Sequence, residues 1–256
     1  MPPRLSVVLI TRNEIRNIDA CLRSVAFADE VVVVDSASTD GTADAARAAG
    51  ARVLDAPDWP GFGPQKNRAL DAATGDWVLS LDADEQVTPE LAASVRDAIH
   101  SAKYDAWETS RRSSYCGQYM AHSGWYPDRV VRLFRRGSAR FSDDLVHERV
   151  LTRGPVGRLR GDLLHDSMPH FESVLAKLDR YSTAGALTLA RKGIRGSLAK
   201  ALGHGLWAFL RTYVVRLGFL DGRLGLALAI SNAEGTYYRY MKLWLLQRRG
   251  DAAGPG

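Results

Sequence analysis

Cysteine is nearly absent from this sequence: Cys21 and Cys116 stand far apart, with no CxxC or Cys/His spacing around either. That excludes a disulfide framework and a structural zinc site, and it fits a reducing compartment. Proline is also scarce, 10 in 256 residues, and no repeat or low-complexity run occurs apart from the short tail 250–256. Disordered and collagen-like classes therefore drop out, and 46% hydrophobic residues suffice for a core. No apolar stretch reaches the roughly 18 residues of a membrane span, because Arg211, Arg216, Asp221 and Arg223 interrupt the most apolar part of the tail. The opening Met1-Pro2-Pro3-Arg4 and the short run after it lack the apolar centre of a signal peptide. The expectation is a cytoplasmic chain that does not cross a bilayer.

Charge is present but unevenly spread. Residues 1–167 hold 21 basic and 24 acidic side chains, net −3, whereas residues 168–256 hold 13 and 5, net +8. The overall +5 is thus the sum of two unlike segments. Nucleic acid is a poor partner, since the excess is modest and no recognised binding motif accompanies it.

The first hundred residues alternate strand-like and helix-like patterns, the mark of a mainly parallel sheet with crossover helices. Leu5 to Ile10 is the continuous apolar run of a strand covered on both faces. Asn13 reads as a cap for a helix carrying Ile15, Ile18, Leu22 and Val25. Strands follow at 31–34, 52–54 and 77–81, with helices from Ala43 to Gly50 and from about Pro64 to Ala73. Thr88-Pro89-Glu90 supplies a cap, a first-turn proline and an acidic residue, a good start for a helix to about 101. From 104 to about 164 short strands among Gly, Ser and Pro suggest antiparallel additions. Beyond Met168 the pattern is helical, with Leu175, Leu178 and Ser182 on one face and Trp207, Leu210, Val214 and Leu217 at three- and four-residue steps.

Asp82-Ala83-Asp84, a DXD motif, ends the strand at 77–81. In an open α/β sheet, ligands bind beyond the carboxyl ends of the strands. Two carboxylates there offer hard oxygen ligands to Mg²⁺ or Mn²⁺ carrying a diphosphate. Glu14, after the first strand, and Asp35, at the end of the second, belong to the same edge.

The ordered set Thr11-Arg12-Asn13-Glu14, Val33 to Thr42, Gln65-Lys66-Asn67-Arg68-Ala69-Leu70 and Leu81-Asp82-Ala83-Asp84-Glu85 resembles a family 2 glycosyltransferase of the GT-A fold. Three further segments, Trp125 to Arg136, Val146-His147-Glu148 and Leu164-His165-Asp166-Ser167, are joined by Gly218 to Gly225. They extend the resemblance to the bacterial subgroup that includes the lipopolysaccharide-core β-1,4-glucosyltransferase. The resemblance implies a Rossmann-like, mainly parallel α/β sheet flanked by helices. It divides the chain into a GT-A domain over 1–167, with a nucleotide-binding half at about 1–103 and an acceptor half at about 104–167, and a basic amphipathic helical extension over 168–256. It also implies that Thr11, Asn13, Glu14 and Asp35 surround the uracil and ribose of a UDP-sugar. Asp40 and Lys66 would approach the nucleotide, Asp82 would contact ribose or sugar, and Asp84 would bind the metal.

An inverting transfer needs a base for the acceptor hydroxyl. Glu148 is the candidate, with His147 beside it and Asp144, or Asp143, in reserve. His165 is a candidate to complete the metal site. The implied activity is metal-dependent transfer of a hexose, glucose from UDP-glucose, to a lipopolysaccharide-core or other lipid-linked envelope saccharide. A nucleotidyltransferase of related fold is the competing enzyme, although Thr11 to Glu14 stands where its Gly-rich phosphate loop would be. A non-catalytic nucleotide-sugar-binding scaffold is the other alternative. The aromatics and cations interleaved in the tail suit an anionic membrane surface, hence a peripheral location on the inner face of the cytoplasmic membrane, or a second copy in a homo-oligomer. Arg111-Arg112 and Arg135-Arg136 are basic pairs, with Arg129 and Arg132 between them, that solvated strand edges explain or that meet acceptor phosphates. Trp125 and Tyr126 suit sugar stacking or a core. His100, His122, His170 and His204 show no ligand spacing.

Overall fold

The structure, a computed structural model, describes residues 1–142 and 149–252. Two compact units emerge. The first contains Met1–Arg112 and Asp128–His165, the second Ser113–Pro127 and Asp166–Gly256. The sequence reading drew its boundary at 167 and kept 113–127 with the sheet.

In the first unit strands and helices alternate in chain order as β1 (Leu5–Thr11), α1 (Ile18–Ser24), β2 (Glu30–Asp35), α2 (Thr42–Ala48), β3 (Arg52–Asp55), α3 (Phe62–Ala72), β4 (Trp77–Asp82), β5 (Glu85–Val87) and α4 (Pro89–Ser101). They are followed by β6 (Ala106–Tyr115), β7 (Gln118–Tyr119), β8 (Asp128–Arg135), β9 (Ala139–Phe141), β10 (Val150–Thr152) and β11 (Val156–Met168). The sheet order is β3-β2-β1-β4-β8-β6-β11-β5. Strands β1 to β4 are parallel, and β8 joins them antiparallel, as expected for an α/β sheet with antiparallel additions.

All seven residues of β1 are buried, and their alternation explains why. Val7 and Leu9 pack with Ile18, Leu22, Leu91 and Val95 beneath α1 and α4, whereas Val8 and Ile10 pack with Ala69 and Leu70 of α3. Each such side chain contributes roughly 1.5–3 kcal/mol of burial, so the run could not face water on either side. Thr88 caps α4 as expected, accepting from the Leu91 amide at 3.3 Å. The first helix differs. Asn13 takes a left-handed φ of 58°, α1 begins only after Asn17, and Ile15 is exposed. The strand β5 was not foreseen, since three residues carry no readable period.

Gly161 decides the path of β11. With φ +83°, it crosses so close to the start of α4 that a Cβ would meet the Leu91 amide, and the Asp162 carbonyl accepts from Thr88 Oγ1 at 2.8 Å. The next residues then pair antiparallel with β5, bringing His165 opposite Glu85.

The second unit is helical, with α5 (Phe171–Arg191), α6 (Leu198–Leu210), a π-helical turn Arg211–Val215, a 3-10 turn Gly218–Asp221 and α7 (Gly222–Ala252). Its core gathers Tyr115, Met120, Val174 and Leu228, with Trp125 packed against them. Trp125 meets Tyr115 edge to face at 6.1 Å, so it is core in this unit. The inward stripe of α5 runs through Val174, Ser182 and Ala186 with Leu178 packed against the core, so the expected Leu178 and Ser182 face inward while Leu175 is exposed. The segment Gly218 to Gly225 forms a corner. A Cβ on Gly225 would collide with the Gly218 carbonyl, and buried Asp221 accepts from the Ala121 amide, the His122 amide and the Ser123 hydroxyl at 2.8–3.1 Å. Among the described residues no helix is long and apolar enough to cross a membrane.

Candidate functional site

Parallel register places the strand ends together: Thr11 lies opposite Asp35, and Ile10 opposite Asp82. Glu14, Asp35, Asp82 and Asp84 therefore share one edge of the sheet, as the sequence pattern required.

Hydrogen bonds fix the two loops that follow β1 and β2. Thr11 Oγ1 donates to Asp35 Oδ1 at 2.9 Å, and Ser38 donates to Asp35 from its amide at 2.8 Å and its hydroxyl at 2.5 Å. Asn13 exchanges bonds with the neighbouring loop, its backbone N–H donating to Ser38 Oγ and its side-chain Oδ1 accepting from the Thr39 amide, both at 2.8 Å. Asp40 is exposed and ties the loops together, accepting from the Thr42 amide at 3.0 Å, the Thr42 hydroxyl at 2.5 Å and the Ile15 amide at 3.1 Å. The Thr42 hydroxyl bond, first, holds its carboxyl below the usual range. Glu14 goes the other way. Burial raises its carboxyl, with Asp84, Asp40 and Asp82 adding to the effect and only the Asn17 bond opposing it.

The centre of the site is an ionic lattice. Lys66, on α3 and buried, lies 2.8 Å from Asp82 Oδ1 and 5.3 Å from the Phe141 ring centroid. Arg132, on β8, reaches Asp82 Oδ2 at 2.8 Å and Glu85 Oε1 at 2.5 Å. The other Glu85 oxygen accepts from the Asp82 amide at 3.0 Å. Burial would raise the Asp82 carboxyl, but Lys66 and Arg132 outweigh it and drive it far down. Glu85 is fully buried, and there burial prevails over Arg132 and raises the carboxyl. Burial likewise works against the Arg132 charge, yet Glu85 and Asp82 hold the guanidinium firmly protonated.

Asp84 is held differently, with Oδ2 3.2 Å from His165 Nε2. Asp82 spends both oxygens on cations, whereas Asp84 pairs with the His165 imidazole and, among the described residues, with no Lys or Arg. The second pair is the one with the chemistry of a divalent-cation site. Two such groups would leave room for water and phosphate oxygens around a cation, as Mg²⁺ and Mn²⁺ prefer.

Arg132 and Glu85 were missed as site residues by sequence reasoning, which set Arg132 among edge cations and gave Glu85 no role. The available signal was a charge flanked in β8 by Val130, Val131, Leu133 and Phe134, since a charge inside an apolar strand is buried only when paired. Beside the lattice lies a cavity of about 440 Å³ lined by Lys66, Asp82, Arg111, Arg129, Arg132 and Arg149, among others. Among the described residues, its lining sets five cations against one carboxylate. Arg68 instead lies on the surface, paired with Asp58. The base candidates Glu148, His147, Asp144 and Asp143 lie outside the described residues. Their flanks are joined, the Ser142 amide donating to the Arg149 carbonyl at 2.9 Å.

Comparison with known proteins identifies the family. The glycosyl transferase family 2 profile matches residues 6–149. An uncharacterized glycosyltransferase of Rickettsia typhi is 29% identical over 253 residues, 94% of this chain and 86% of that one. The lipopolysaccharide core biosynthesis glycosyltransferase LpsC of Rhizobium meliloti is 30% identical over 262 residues, 92% of this chain and 93% of that protein. Among solved structures, glucosyl-3-phosphoglycerate synthase of Mycobacterium tuberculosis, in complex with Mn²⁺, UDP and glucosyl-3-phosphoglycerate, aligns over 44% of each chain at 29% identity and a TM-score of 0.37. The nucleotidyltransferase and scaffold readings are set aside by the family match over residues 6–149, and the chain is an enzyme belonging to glycosyl transferase family 2.

Proposed function

We propose that this enzyme transfers glucose from UDP-glucose, with inversion, to a lipid-linked saccharide of the lipopolysaccharide core or a related envelope glycan. The observation that carries the proposal is the edge where Glu14, Asp35, Asp82 and Asp84 meet beside a cavity holding Lys66, Arg132 and three further arginines. Carboxylates accept ribose hydroxyls and base N–H groups, and the cations match a diphosphate. The acceptor class is supported by the likeness to LpsC, whose name places that protein in lipopolysaccharide core biosynthesis.

Thr11, Asn13, Glu14 and Asp35 are the residues proposed for uracil and ribose. Asp40 braces the loops that carry them. Lys66 and Arg132 fix Asp82, whose oxygens keep lone pairs for a donor hydroxyl. Asp84 and His165 would hold Mg²⁺ or Mn²⁺. When bound, the cation would stabilise charge on the departing diphosphate.

In the transfer the acceptor oxygen attacks the anomeric carbon from the face opposite the diphosphate. The bond from that carbon to the phosphate oxygen breaks, its electron pair leaves with UDP, and the hydroxyl proton passes to a carboxylate. Glu148 is the proposed base, oriented by His147, with Asp144 in reserve. Its neighbour Arg149 lines the same cavity as Asp82, which supports that reading.

A thermal-shift screen of UDP-, GDP- and ADP-sugars with Mn²⁺ should single out UDP-glucose. Glu148→Gln should then lower transfer by about 10²–10⁴-fold, the usual range for a lost general base, while UDP binding persists. Near-normal turnover in that variant removes Glu148 from the role, and stabilisation by a GDP- or ADP-sugar alone removes the donor.

The second unit is the part proposed to meet the membrane, on its cytoplasmic inner face. Leu198, Leu202, Leu206 and Leu210 recur at four-residue steps on α6 and are all exposed. An apolar strip among cations is the pattern of an interfacial helix.

A further inference from the structure

The second unit encloses a cavity of about 480 Å³ between α5, α6, the π-helical turn, α7 and residues 123–125. Its lining carries four cations, Lys177, Arg211, Arg216 and Arg239, and no carboxylate among the described residues. None of the residues assigned above to sugar transfer belongs to it.

Local geometry aims these cations inward. On a regular α-helix, positions five apart point about 140° away from each other. The turn Arg211–Val215 instead closes an i to i+5 bond, the Arg216 amide donating to the Arg211 carbonyl at 2.8 Å, and both side chains line the cavity. Such π-turns cost helix regularity and recur at functional positions. Across the cavity, Arg239 lies over Gly185, where a Cβ would stand 2.6 Å from its Nε. That Nε is buried and has no hydrogen-bond partner among the described residues.

The neighbouring carboxylates do not pair with the three arginines: Asp221 accepts hydrogen bonds from the 121–123 loop, and Asp179 pairs with Lys242. Among the described residues, Arg211, Arg216 and Arg239 form no ion pair. Three guanidinium groups without ion pairs in a half-enclosed space repel one another, and a multivalent anion would remove that cost.

We infer that this cavity binds a phosphate-bearing ligand, with the guanidinium groups of Arg211, Arg216 and Arg239 gripping the phosphate. Planar guanidinium forks match phosphate oxygens in pairs. The volume falls within the roughly 300–1,000 Å³ of small-molecule sites and exceeds what one phosphate fills. Trp125 and Tyr181, also in the lining, offer surface to the remainder, a lipid headgroup or a saccharide.

Arginine modification by phenylglyoxal, mapped by peptide mass spectrometry on the full chain in metal-free buffer, tests the inference. The probes are inorganic pyrophosphate and phosphatidylcholine vesicles with or without phosphatidic acid. Modification of Arg211, Arg216 and Arg239 should slow at least fivefold, with exposed Arg96 unchanged. Protection by pyrophosphate as well as by phosphatidic acid vesicles assigns a soluble or headgroup phosphate alike, and protection by the vesicles alone assigns a lipid headgroup. Equal rates under all conditions, or equal slowing at Arg96, overturn the inference. The double variant Arg211→Gln/Arg239→Gln should bind the protecting probe at least tenfold more weakly while its melting transition stays cooperative. Unchanged affinity in a folded variant also overturns it, and if the variant does not fold, the mapping on the unaltered chain still decides.

Discussion

His165 Nε2 stands 3.2 Å from Asp84 Oδ2, a contact made by strand register, since β11 pairs with β5 so that His165 faces Glu85. If the two hold a divalent cation, His165→Ala should weaken Mn²⁺ binding at least tenfold, a factor comparable to the 10–100-fold seen even for supporting residues. Calorimetry with UDP present measures it. Chelation should abolish transfer, and added Mn²⁺ or Mg²⁺ should restore it. Unchanged affinity in the variant would remove His165 from the metal site.

Arg132 reaches both Asp82 and Glu85 from a buried position. Removing it leaves two carboxylates without their shared cation, and breaking a buried pair in this way costs about 3–5 kcal/mol. Arg132→Met should lower the denaturant midpoint accordingly. Adding Glu85→Gln should recover part of the loss, because the buried charge goes with it. Additive losses in the double variant would show that the lattice is not coupled.

How much of this was legible in sequence follows from the range of each interaction. The apolar run of β1 and the acidic ends of β2 and β4 are local, and parallel register did the rest, so Asp35 and Asp82 could be placed together. Arg132 and Glu85 could not. Their meeting depends on β8 joining β4 antiparallel, a pairing between segments some fifty residues apart that no local period encodes. The hairpin residues 113–127 went with the helices for a similar reason, since Tyr115 and Met120 pack on Val174 and Leu228. The spacing of Trp207, Leu210, Val214 and Leu217 was readable as apolar, but period alone does not say whether such a face is buried, and these four are exposed.

Glu30 lies at the start of β2, paired with Ser6 at the end of the sheet away from the site. Burial raises its carboxyl, but the Ser6 hydroxyl, the Thr74 amide and hydroxyl, and Arg52 together bring it below the usual 4.5. A depressed folded value means that the stabilisation is complete above the unfolded value and is lost as pH falls through the folded one. Glu30→Gln should therefore cost about 1 kcal/mol near neutrality and flatten the acid limb of stability below pH 4.5. Urea unfolding from pH 3 to 7 reads both, and UDP affinity should not change. Parallel acid limbs in the two proteins would contradict the assignment.

On α6 Leu202 and Leu206 are 57% and 62% exposed, more than their neighbours Leu198 and Leu210. An apolar strip of this kind in water is a cost that some surface must relieve. An anionic bilayer would cover the leucines, and cations elsewhere in this basic unit would each contribute roughly 1 kcal/mol near such a surface. The full chain should float with vesicles containing anionic lipid at low salt, and raising salt several-fold should weaken the association as screening shortens. Leu202→Glu/Leu206→Glu should abolish flotation and leave UDP binding intact, because the substitutions lie in the second unit. Sedimentation separates the other occupant: a dimer that the same substitutions dissociate, with no flotation of the unaltered chain, would assign the strip to a second copy and reject the membrane.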